Sequence, residues 1–549
     1  MAFSDKKIKH LFAVLGILFF LTYSWFSFSI LQGGAVKFNS PYDTASYFFT
    51  KQFINEKKFA YPEPYLALSN NLAHPRSMSE YNGFVVPTIF LGFLILLGII
   101  GFVVGPYGIL FVVPLVSAAT PYFFYQVLKR LFSNRVALLS ALLLFINPAF
   151  WYYASRSMLP NALLIDLLII CAYFFILGIE KKKWYFSGAA GLAFGSALAI
   201  RPNDFIWIVP LCGIAWWALR AHLTRTYYVL FFTATAFILL VYGFFNYQTF
   251  GSAFAFGYKI QSFSTALGAS PSFQGDIIQK ILSLFFPFGF HPRLVLHTFW
   301  NYAVLLQWWF VITGIIGFFV SLPLLKNEFK KKIRSSFFYY TLIFSITSIW
   351  LLCSYGSFEF VENVTGQVTL GNSYVRYWLP IFVLSLPYVS LLIIKVLSFL
   401  FQKLKNNVLI GVLAVGIFLL FSFFSARLVY WQTNESLVPI VGHIRDYQQK
   451  SAIIQSLVPP HAVIFSRASD KIFFPERKSG ASFSGFREVS SLTPLLHAVP
   501  VYYYGLWSDN EIEKINSEHF TPLGYRLSLV VQLDRKEKLF IVMPVTSSK

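Results

Sequence analysis

The chain has 549 residues, of which 56% are hydrophobic, 20% are aromatic and only 12% are charged. So low a charged share excludes an ordinary soluble enzyme, in which about a quarter of the residues are charged. The apolar residues form repeated runs of about 17 to 23, the length that crosses the hydrocarbon core of a bilayer. The sequence therefore predicts an α-helical polytopic membrane protein.

The net charge of +21 comes from 44 Lys and Arg against 23 Asp and Glu. The basic residues gather in short connections between apolar runs, as the positive-inside rule predicts for cytoplasmic loops. No cluster has the length or the interleaved aromatic residues of a nucleic-acid surface, so we expect no nucleic-acid partner. The clusters are Lys6, Lys7 and Lys9; Lys129, Arg130 and Arg135; Lys181–Lys183; Arg220 and Arg225; Lys326, Lys330–Lys332 and Arg334; and Lys403 and Lys405.

No pattern in the sequence predicts a metal or another cofactor. The three cysteines form no CxxC or Cys/His arrangement, which argues against a disulfide framework and a structural zinc site. The nucleotide-binding, zinc-protease and serine-hydrolase motifs are also missing from the sequence. Any chemistry must therefore come from side chains at the membrane helices and their loops.

Eleven apolar runs predict membrane spans, and a twelfth at 85–103 predicts a re-entrant or tilted helix. A full crossing by this twelfth run would move Lys129, Arg130 and Arg135 to the outer side and invert every later loop. We therefore expect it to turn back at Gly105–Gly108, where protein must cover its backbone ends. The eleven predicted spans lie near 10–31, 107–127, 136–152, 162–179, 185–200, 204–220, 226–246, 303–325, 336–354, 378–399 and 408–425.

This topology divides the chain into a transmembrane domain over 1–425 and an extracytoplasmic domain over 426–549. We expect the protein to lie in the plasma membrane with its N-terminus in the cytoplasm. The predicted outer loops cover 32–84 and 247–302. The tail is predicted to be a small α/β domain. Its elements are a helix at 437–457, strands at 461–465 and 499–504, and a hairpin of 526–533 with 538–545.

Ionisable residues at the outer ends of spans are the candidates for a site, because such groups are costly in the hydrocarbon region. In the first outer loop, Asp43 follows Pro41 at a predicted helix start. Capping of that helix is its alternative role. His74 and Arg76 lie further along the same loop, where a polar turn at Pro75 explains them equally well.

Arg201, Arg293 and Arg376 all precede or follow spans at the predicted outer face, and together they suit the phosphate of a lipid. Arg201 has an alternative role as the ion-pair partner of Asp204. Asp166 lies inside its span, so it should face protein or a water-filled cavity. Pairing with a neighbouring helix is the alternative role of Asp166.

Four sequence motifs, in this order and on matching sides of the membrane, resemble the GT-C type of polytopic glycosyltransferases. This type includes protein O-mannosyltransferases and the aminoarabinose transferase of lipid A. The resemblance covers most of the membrane region. The motifs are the acidic motif at Pro41–Tyr47, the polar motif at Ser155–Asn161, the end of a glycine-rich span at Arg201–Pro202, and the Arg-Tyr-x-x-Pro element at Arg376–Pro380.

The resemblance implies an enzyme that moves a sugar from a polyprenyl-phosphate carrier to a protein, lipid or glycan acceptor outside the cytoplasm. It needs no cofactor beyond the lipid-linked donor. Asp43 is then the general base, and Arg76, Arg201 and Arg376 contact the phosphate or the sugar. The full set of candidate substrate-binding residues is His74, Arg76, Asn161, Asp166, Arg201, Asp204, Arg293 and Arg376.

The chain departs from the family pattern at two positions. Tyr42 stands where the family has the first acid of an Asp-Glu pair, and Asn161 stands where relatives carry an Asp. An amide cannot act as a base. Three alternatives follow: Asp43 suffices alone, Asp166 substitutes, or the protein is an inactive scaffold. A transporter or flippase of lipid-linked intermediates is a further alternative function.

Overall fold

The structure is a computed structural model, and it describes most of the chain. Most of the predicted outer loop 247–302 and part of the basic cluster at 326–334 lie outside the described residues. The described residues are 5–220, 223–257, 286, 288–330, 336–360, 366–481, 486, 489–534 and 536–545.

Helices dominate the chain up to residue 457, and their amino ends often carry a capping side chain or a proline. Both are typical helix starts, because the first N–H groups of a helix have no partner within it. The helices are α1 (Asp5–Leu31), α2 (Pro41–Glu56), α3 (Leu91–Gly108), α4 (Val112–Leu128), α5 (Asn134–Ile146), α6 (Pro148–Ser155), α7 (Pro160–Lys181), α8 (Trp184–Ile200), α9 (Phe205–Leu219), α10 (Arg225–Phe250), α11 (Pro292–Phe299), α12 (Trp308–Lys330), α13 (Ser336–Gly356), α14 (Ser373–Tyr377), α15 (Leu379–Leu404), α16 (Asn407–Tyr430) and α17 (Leu437–Leu457).

Among the described residues, 7 helical stretches are long and apolar enough to cross a membrane, or up to 10 if each of three bent pairs is one span. The protein is therefore an integral membrane protein, and its described residues account for up to ten spans against the eleven predicted. The difference lies at the bends. α5 and α6 bend by 51°, α8 and the segment Pro202–Leu219 by 108°, and Pro292–Leu305 and Trp308–Pro323 by 110°.

The predicted reversal at Gly105–Gly108 is wrong. Leu91–Leu128 is one apolar helical stretch of 38 residues with a local break at Gly105, whose φ is +75°. Gly105 takes this left-handed conformation at no steric cost, and Pro106 then restarts the helix because its φ is already helical. The start of the predicted run is also different, because Phe84–Pro87 forms a strand and α3 begins only at Leu91.

The chain divides into two compact units. Unit 1 comprises Met1–Ser27, Tyr107–Val241 and Pro271–Ile440, and unit 2 comprises Phe28–Pro106, Tyr242–Ser270 and Val441–Lys549. Unit 1 holds most of the membrane helices. Unit 2 joins the first predicted outer loop to the C-terminal tail, two segments that are far apart in sequence.

Helices in unit 1 approach one another closely at glycines. A side chain at Gly191 of α8 would overlap the carbonyl oxygen of Phe231 on α10, and one at Gly317 of α12 would overlap that of Tyr388 on α15. Small residues permit such backbone contact, and dispersion then holds the helices together where lipid gives no hydrophobic driving force.

Unit 2 contains two sheets. A small antiparallel sheet has the order β1-β3-β2, from β1 (Tyr61–Pro62), β2 (Met78–Tyr81) and β3 (Phe84–Pro87). The tail forms a five-stranded sheet in the order β5-β4-β6-β8-β7. Its strands are β4 (Val463–Ser466), β5 (Lys478–Ala481), β6 (Val501–Gly505), β7 (Tyr525–Gln532) and β8 (Lys538–Pro544), with short helices α18 (Asp470–Phe473), α19 (Thr493–Ala498) and α20 (Asp509–Ile515) between them.

The central strands β4 and β6 of the tail sheet are buried on both faces. β4 runs parallel to β5 and β6, and Val463 and Phe465 pack into one core while Ile464 packs into the other. This alternation follows from the two-residue period of a strand. The small α/β domain predicted for the tail is thereby confirmed, including the hairpin of β7 and β8.

Candidate functional site

Three arginines of unit 1 lie where helices break. Arg156 follows the last residue of α6, Arg201 follows the last residue of α8, and Arg376 lies on the short helix α14 just before α15. Helix ends leave backbone polar groups without intrahelical partners, so polar side chains and ligands gather there. Charged side chains are therefore found at these breaks, whereas the middle parts of the helices are apolar.

Arg201 is buried and forms an ion pair with Asp204 through its Nε. The other carboxylate oxygen of Asp204 accepts a hydrogen bond of 3.0 Å from the Trp207 indole. Proximity of the two charged residues follows from the helical turn between them, which starts at Pro202. The alternative role foreseen for Arg201 is therefore present in the structure, and it leaves the Arg201 guanidinium fixed in place.

The Arg201 and Arg376 guanidiniums lie over the same aromatic ring. Each is 4.9 Å from the centroid of Tyr377, and Tyr355 stacks on Tyr377 at 4.2 Å with an interplanar angle of 15°. We call Arg201, Arg376, Tyr355 and Tyr377 the Tyr377 cluster. With Asp204 included, two guanidiniums and one carboxylate leave one positive charge, which suits a monoanionic or dianionic ligand.

Asn161 adjoins the Tyr377 cluster at the first turn of α7. Its amide nitrogen donates to the carbonyl oxygen of Arg376 at 3.4 Å. The Oδ1 atom of Asn161 and the Oγ atom of Ser157 are buried and have no hydrogen-bond partner among the described residues. Buried polar atoms are normally satisfied, so these two mark a place where water or a ligand is expected.

Arg156 is buried between aromatic side chains in unit 1. Its Nη1 atom donates to the Tyr152 hydroxyl at 3.0 Å, and its guanidinium lies 5.6 Å from the ring centroid of Phe26. The neighbouring Tyr153 hydroxyl donates to the carbonyl oxygen of Leu370 at 2.6 Å. The bond from Arg156 to Tyr152 holds the start of the 156–161 connection against α6.

The remaining two candidates of unit 1 have other surroundings. Asp166 is fully buried on α7 and accepts a hydrogen bond of 2.6 Å from Ser117 on α4, so the pairing with a neighbouring helix is present. Arg293 is exposed in the first turn of α11. Neither is part of the Tyr377 cluster.

In unit 2, Asp43 lies in the first turn of α2, and only 1% of its surface is exposed. Ser40 caps this helix and Pro41 occupies its first turn. Ser46 and Thr50 follow Asp43 at helical spacing on one face, and their buried hydroxyls have no hydrogen-bond partner among the described residues. α2 therefore presents a buried polar stripe that begins at the candidate base.

The segment before α2 is held by the tail. Lys37 is almost fully buried, pairs with Glu476 and donates to the carbonyl oxygen of Phe474 at 2.9 Å. Lys471 donates to the carbonyl oxygen of Asn39 at 2.7 Å. Burial lowers the pKa of Lys37, while the Glu476 carboxylate opposes this shift. These contacts fix the backbone that leads into Asp43.

The structure places His74 and Arg76 beside the tail residue Asp470. The Nε of Arg76 contacts the Asp470 carboxylate at 2.7 Å, and the Arg76 backbone N–H donates to its other oxygen at 2.9 Å. Burial lowers the pKa of His74, and its interactions with Pro75, Asp470 and Glu80 oppose that shift. Arg76 is thus engaged in a structural ion pair within unit 2.

Sequence reasoning missed several residues of these two groups. Tyr377 stands directly after Arg376, and the Arg-Tyr motif was the signal that could have identified it. The spacing of Ser46 and Thr50 after Asp43 also indicates, from the sequence, that the three residues share one face of a helix. The stacking of Tyr355 had no such signal, because that contact joins two different helices. Among the described residues, no group of three or more His, Cys, Asp or Glu is placed to hold a metal ion.

Comparison with known proteins identifies similar families and folds. Residues 87–243 match the family described as dolichyl-phosphate-mannose-protein mannosyltransferase. A search of curated proteins found no match. Among solved structures, the chain resembles ArnT from Cupriavidus metallidurans bound to undecaprenyl phosphate, with a TM-score of 0.50, 11% identity and coverage of 99% of both chains.

A second similar structure is the oligosaccharyltransferase AglB from Archaeoglobus fulgidus, in complex with an inhibitory peptide and a dolichol-phosphate. Here the TM-score is 0.54 at 12% identity, with 96% of this chain and 73% of AglB covered. At such identities the likeness concerns the fold. The predicted resemblance is confirmed: the chain has the fold of GT-C type polytopic membrane glycosyltransferases.

Proposed function

We propose that the protein is a glycosyltransferase that moves a sugar from a polyprenyl-phosphate carrier to a protein, lipid or glycan acceptor. The proposal places the reaction on the extracytoplasmic face, with the N-terminus in the cytoplasm and the plasma membrane as the site. Support comes from the fold, from the family match over 87–243, and from neighbours whose structures hold undecaprenyl phosphate or dolichol-phosphate. The basic connections between spans support the orientation.

The Tyr377 cluster is the observation that carries the proposal. A phosphate bound by Arg201 and Arg376 becomes the leaving group when the bond from the anomeric carbon to the phosphate oxygen breaks. Two guanidiniums held on a partly buried aromatic surface stabilise the negative charge that grows on that oxygen, because they are already oriented. The unsatisfied Asn161 and Ser157 atoms beside the cluster are available to sugar hydroxyls.

Asp43 is the proposed general base. Its carboxylate accepts the proton of the attacking acceptor hydroxyl as that oxygen bonds to the anomeric carbon. The buried hydroxyls of Ser46 and Thr50 on the same helix face offer hydrogen bonds to the sugar or to the acceptor. The proposed mechanism requires no metal, and Asp166 is the alternative general base.

The test is a transfer assay with purified full-length protein in proteoliposomes, a polyprenyl-phosphate sugar as donor, and Asp43→Asn as the variant. We expect turnover to fall by about 10²–10⁴-fold with little change in donor KM, since a positioned base contributes that much. Glu56→Gln is the matched control, because it makes the same change of acid to amide at an exposed position of α2. Its turnover should equal that of the wild type.

Other outcomes discriminate between the alternatives. Unchanged turnover in Asp43→Asn with loss in Asp166→Asn would transfer the role of base to Asp166. Donor binding without turnover in the wild type, with any donor sugar, would identify a scaffold. Movement of the donor across the bilayer without transfer would identify a flippase.

A further inference from the structure

Unit 1 contains an elongated apolar cavity that the proposed reaction does not use. Its volume is about 470 Å³, and α4, α7, α9, α13 and α15 line it. A cavity of this size lies within the range of small-molecule and lipid sites, about 300–1,000 Å³. Most lining side chains are aliphatic or aromatic, so an apolar chain is the occupant that this interior favours.

The two ends of the cavity differ in accessibility. Ile165, Trp207 and Pro380 form one end and are buried. Trp207 also donates to Asp204, so an indole and a carboxylate lie at this end. Along the middle, the lining residues Ala172 and Ala215 are only half-buried. An apolar ligand chain therefore enters the cavity at a distance from Trp207, and its far end reaches the buried end that Trp207 forms.

The opposite end carries a strong positive charge. Arg130 and Glu180 line the cavity there and form an ion pair, with Nη2 and Oε2 at 2.6 Å. Residues 129–135 and 180–183 together contain six basic residues, Lys129, Arg130, Arg135 and Lys181–Lys183, against one acid. Basic pockets between membrane helices bind the head groups of anionic lipids.

We propose that this cavity binds an anionic glycerophospholipid, with one acyl chain inside and the phosphate among the basic residues at the Arg130 end. From Ile165 to Glu180 the cavity follows α7 for about 22 Å at 1.5 Å per residue, which accommodates an extended acyl chain. None of the four residues of the Tyr377 cluster lines this cavity. A carrier whose phosphate bound the Tyr377 cluster would have to pass Trp207 to place its tail here.

Native mass spectrometry of the full-length protein in mild detergent tests the proposal, with added phosphatidylglycerol, phosphatidylcholine of the same chains, and undecaprenyl phosphate as probes. We expect one phosphatidylglycerol per protein, retained more strongly than phosphatidylcholine. Ala172→Phe fills the cavity and should abolish retention. Ala414→Phe is its control, because Ala414 is half-buried on α16, outside the cavity.

The head-group part of the proposal is tested on exposed residues, where folding is not at risk. Lys181→Gln with Lys183→Gln should weaken retention by more than tenfold, since each basic residue near a lipid surface contributes about fivefold. The control pair Lys403→Gln with Lys405→Gln removes two charges from another basic connection and should have no effect. These readouts are independent of transferase activity.

Three results would overturn the proposal. Equal retention of phosphatidylglycerol and phosphatidylcholine would remove the role of charge, and unaltered retention in Ala172→Phe would place the lipid elsewhere. Displacement of phosphatidylglycerol by undecaprenyl phosphate would assign the cavity to the carrier.

Discussion

The charged residues around the Tyr377 cluster of unit 1 and those of the first predicted outer loop in unit 2 are held in place in opposite ways. In unit 1, Arg201 and Asp204 are three residues apart in sequence, and a helix break brings them together. In unit 2, three ion pairs of the first predicted outer loop join residues from opposite ends of the chain. Lys37 and Glu476 are 439 positions apart, Glu63 and Lys478 are 415 apart, and Arg76 and Asp470 are 394 apart.

The placement of the charged residues therefore depends on local contacts around the Tyr377 cluster and on long-range contacts around the loop that carries Asp43. The charges of the Tyr377 cluster come from short-range turns, and Arg376 bonds within its own helix, so removing the Arg376 charge should affect ligand binding far more than folding. The loop that carries Asp43 is ordered by residues of the tail, so a tail substitution should disturb that loop from more than 400 positions away in sequence. Substitutions in the two units can therefore test whether local and long-range contacts have these separate effects.

The largest effect on stability is expected from Glu476→Ala. It leaves the Lys37 ammonium buried without its carboxylate, which costs about 3 kcal/mol. Hydrogen exchange should show lost amide protection at residues 32–40 and unchanged protection in α7. Lys37→Met should be nearly neutral and should rescue Glu476→Ala, because an apolar side chain suits the same pocket.

The control for this pair is Lys514→Ala. Lys514 and Glu518 are 3.8 Å apart and well exposed, and such pairs contribute little to stability. Equal losses of protection in Glu476→Ala and Lys37→Met would contradict the role assigned to burial.

The next effect is on activity, in unit 1. Arg376→Gln should lower turnover by about 10²–10³-fold, because it removes a preoriented cation from the leaving phosphate. Its side chain bonds Ser373 at 2.6 Å within its own helix, so the melting temperature should change little. Arg427→Gln, at an exposed position in the last turn of α16, is the control and should retain full activity. Unfolding of Arg376→Gln would show that the cluster is not locally organised.

The smallest effect is a pH dependence of unit 2. Burial lowers the pKa of His74, so the unfolded chain takes up a proton near the ordinary value of about 6.5 while the folded chain resists it. The contribution of His74 to the free energy of unfolding is therefore complete above that pH, and it decreases as the pH falls below it. Hydrogen exchange at residues 72–80 should follow this trend in the wild type. His74→Gln should flatten it, and an unchanged profile would assign the titration to another group.

Much of the fold could be predicted from the sequence, because hydrophobic periodicity and capping residues act locally. The tail hairpin and α17 appear where the pattern placed them. The errors lie at breaks. Pro106 and Gly105 were interpreted as a reversal, and the structure keeps one helical stretch through them. The bend angle at a Pro or Gly depends on what packs against it, which a local pattern does not contain.

The candidate residues divide in the same way. Arg201, Asp204, Asn161 and Arg376 were all predicted, and the structure brings them together in unit 1. Tyr355 was not, since its contact with Tyr377 depends on the packing of two helices. Arg76 was predicted as a ligand contact, and only the folded tail supplies the Asp470 carboxylate that it binds.

The sequence by itself determined that this is a polytopic membrane protein with a small α/β tail, and that its informative charges lie at helix ends. Hydrophobic length, strand alternation and the cost of charge in hydrocarbon suffice for that. The tertiary structure decided which charges are paired and which helices bend. It also formed the apolar cavity of unit 1, because buried contacts between distant segments exist only after the chain has folded.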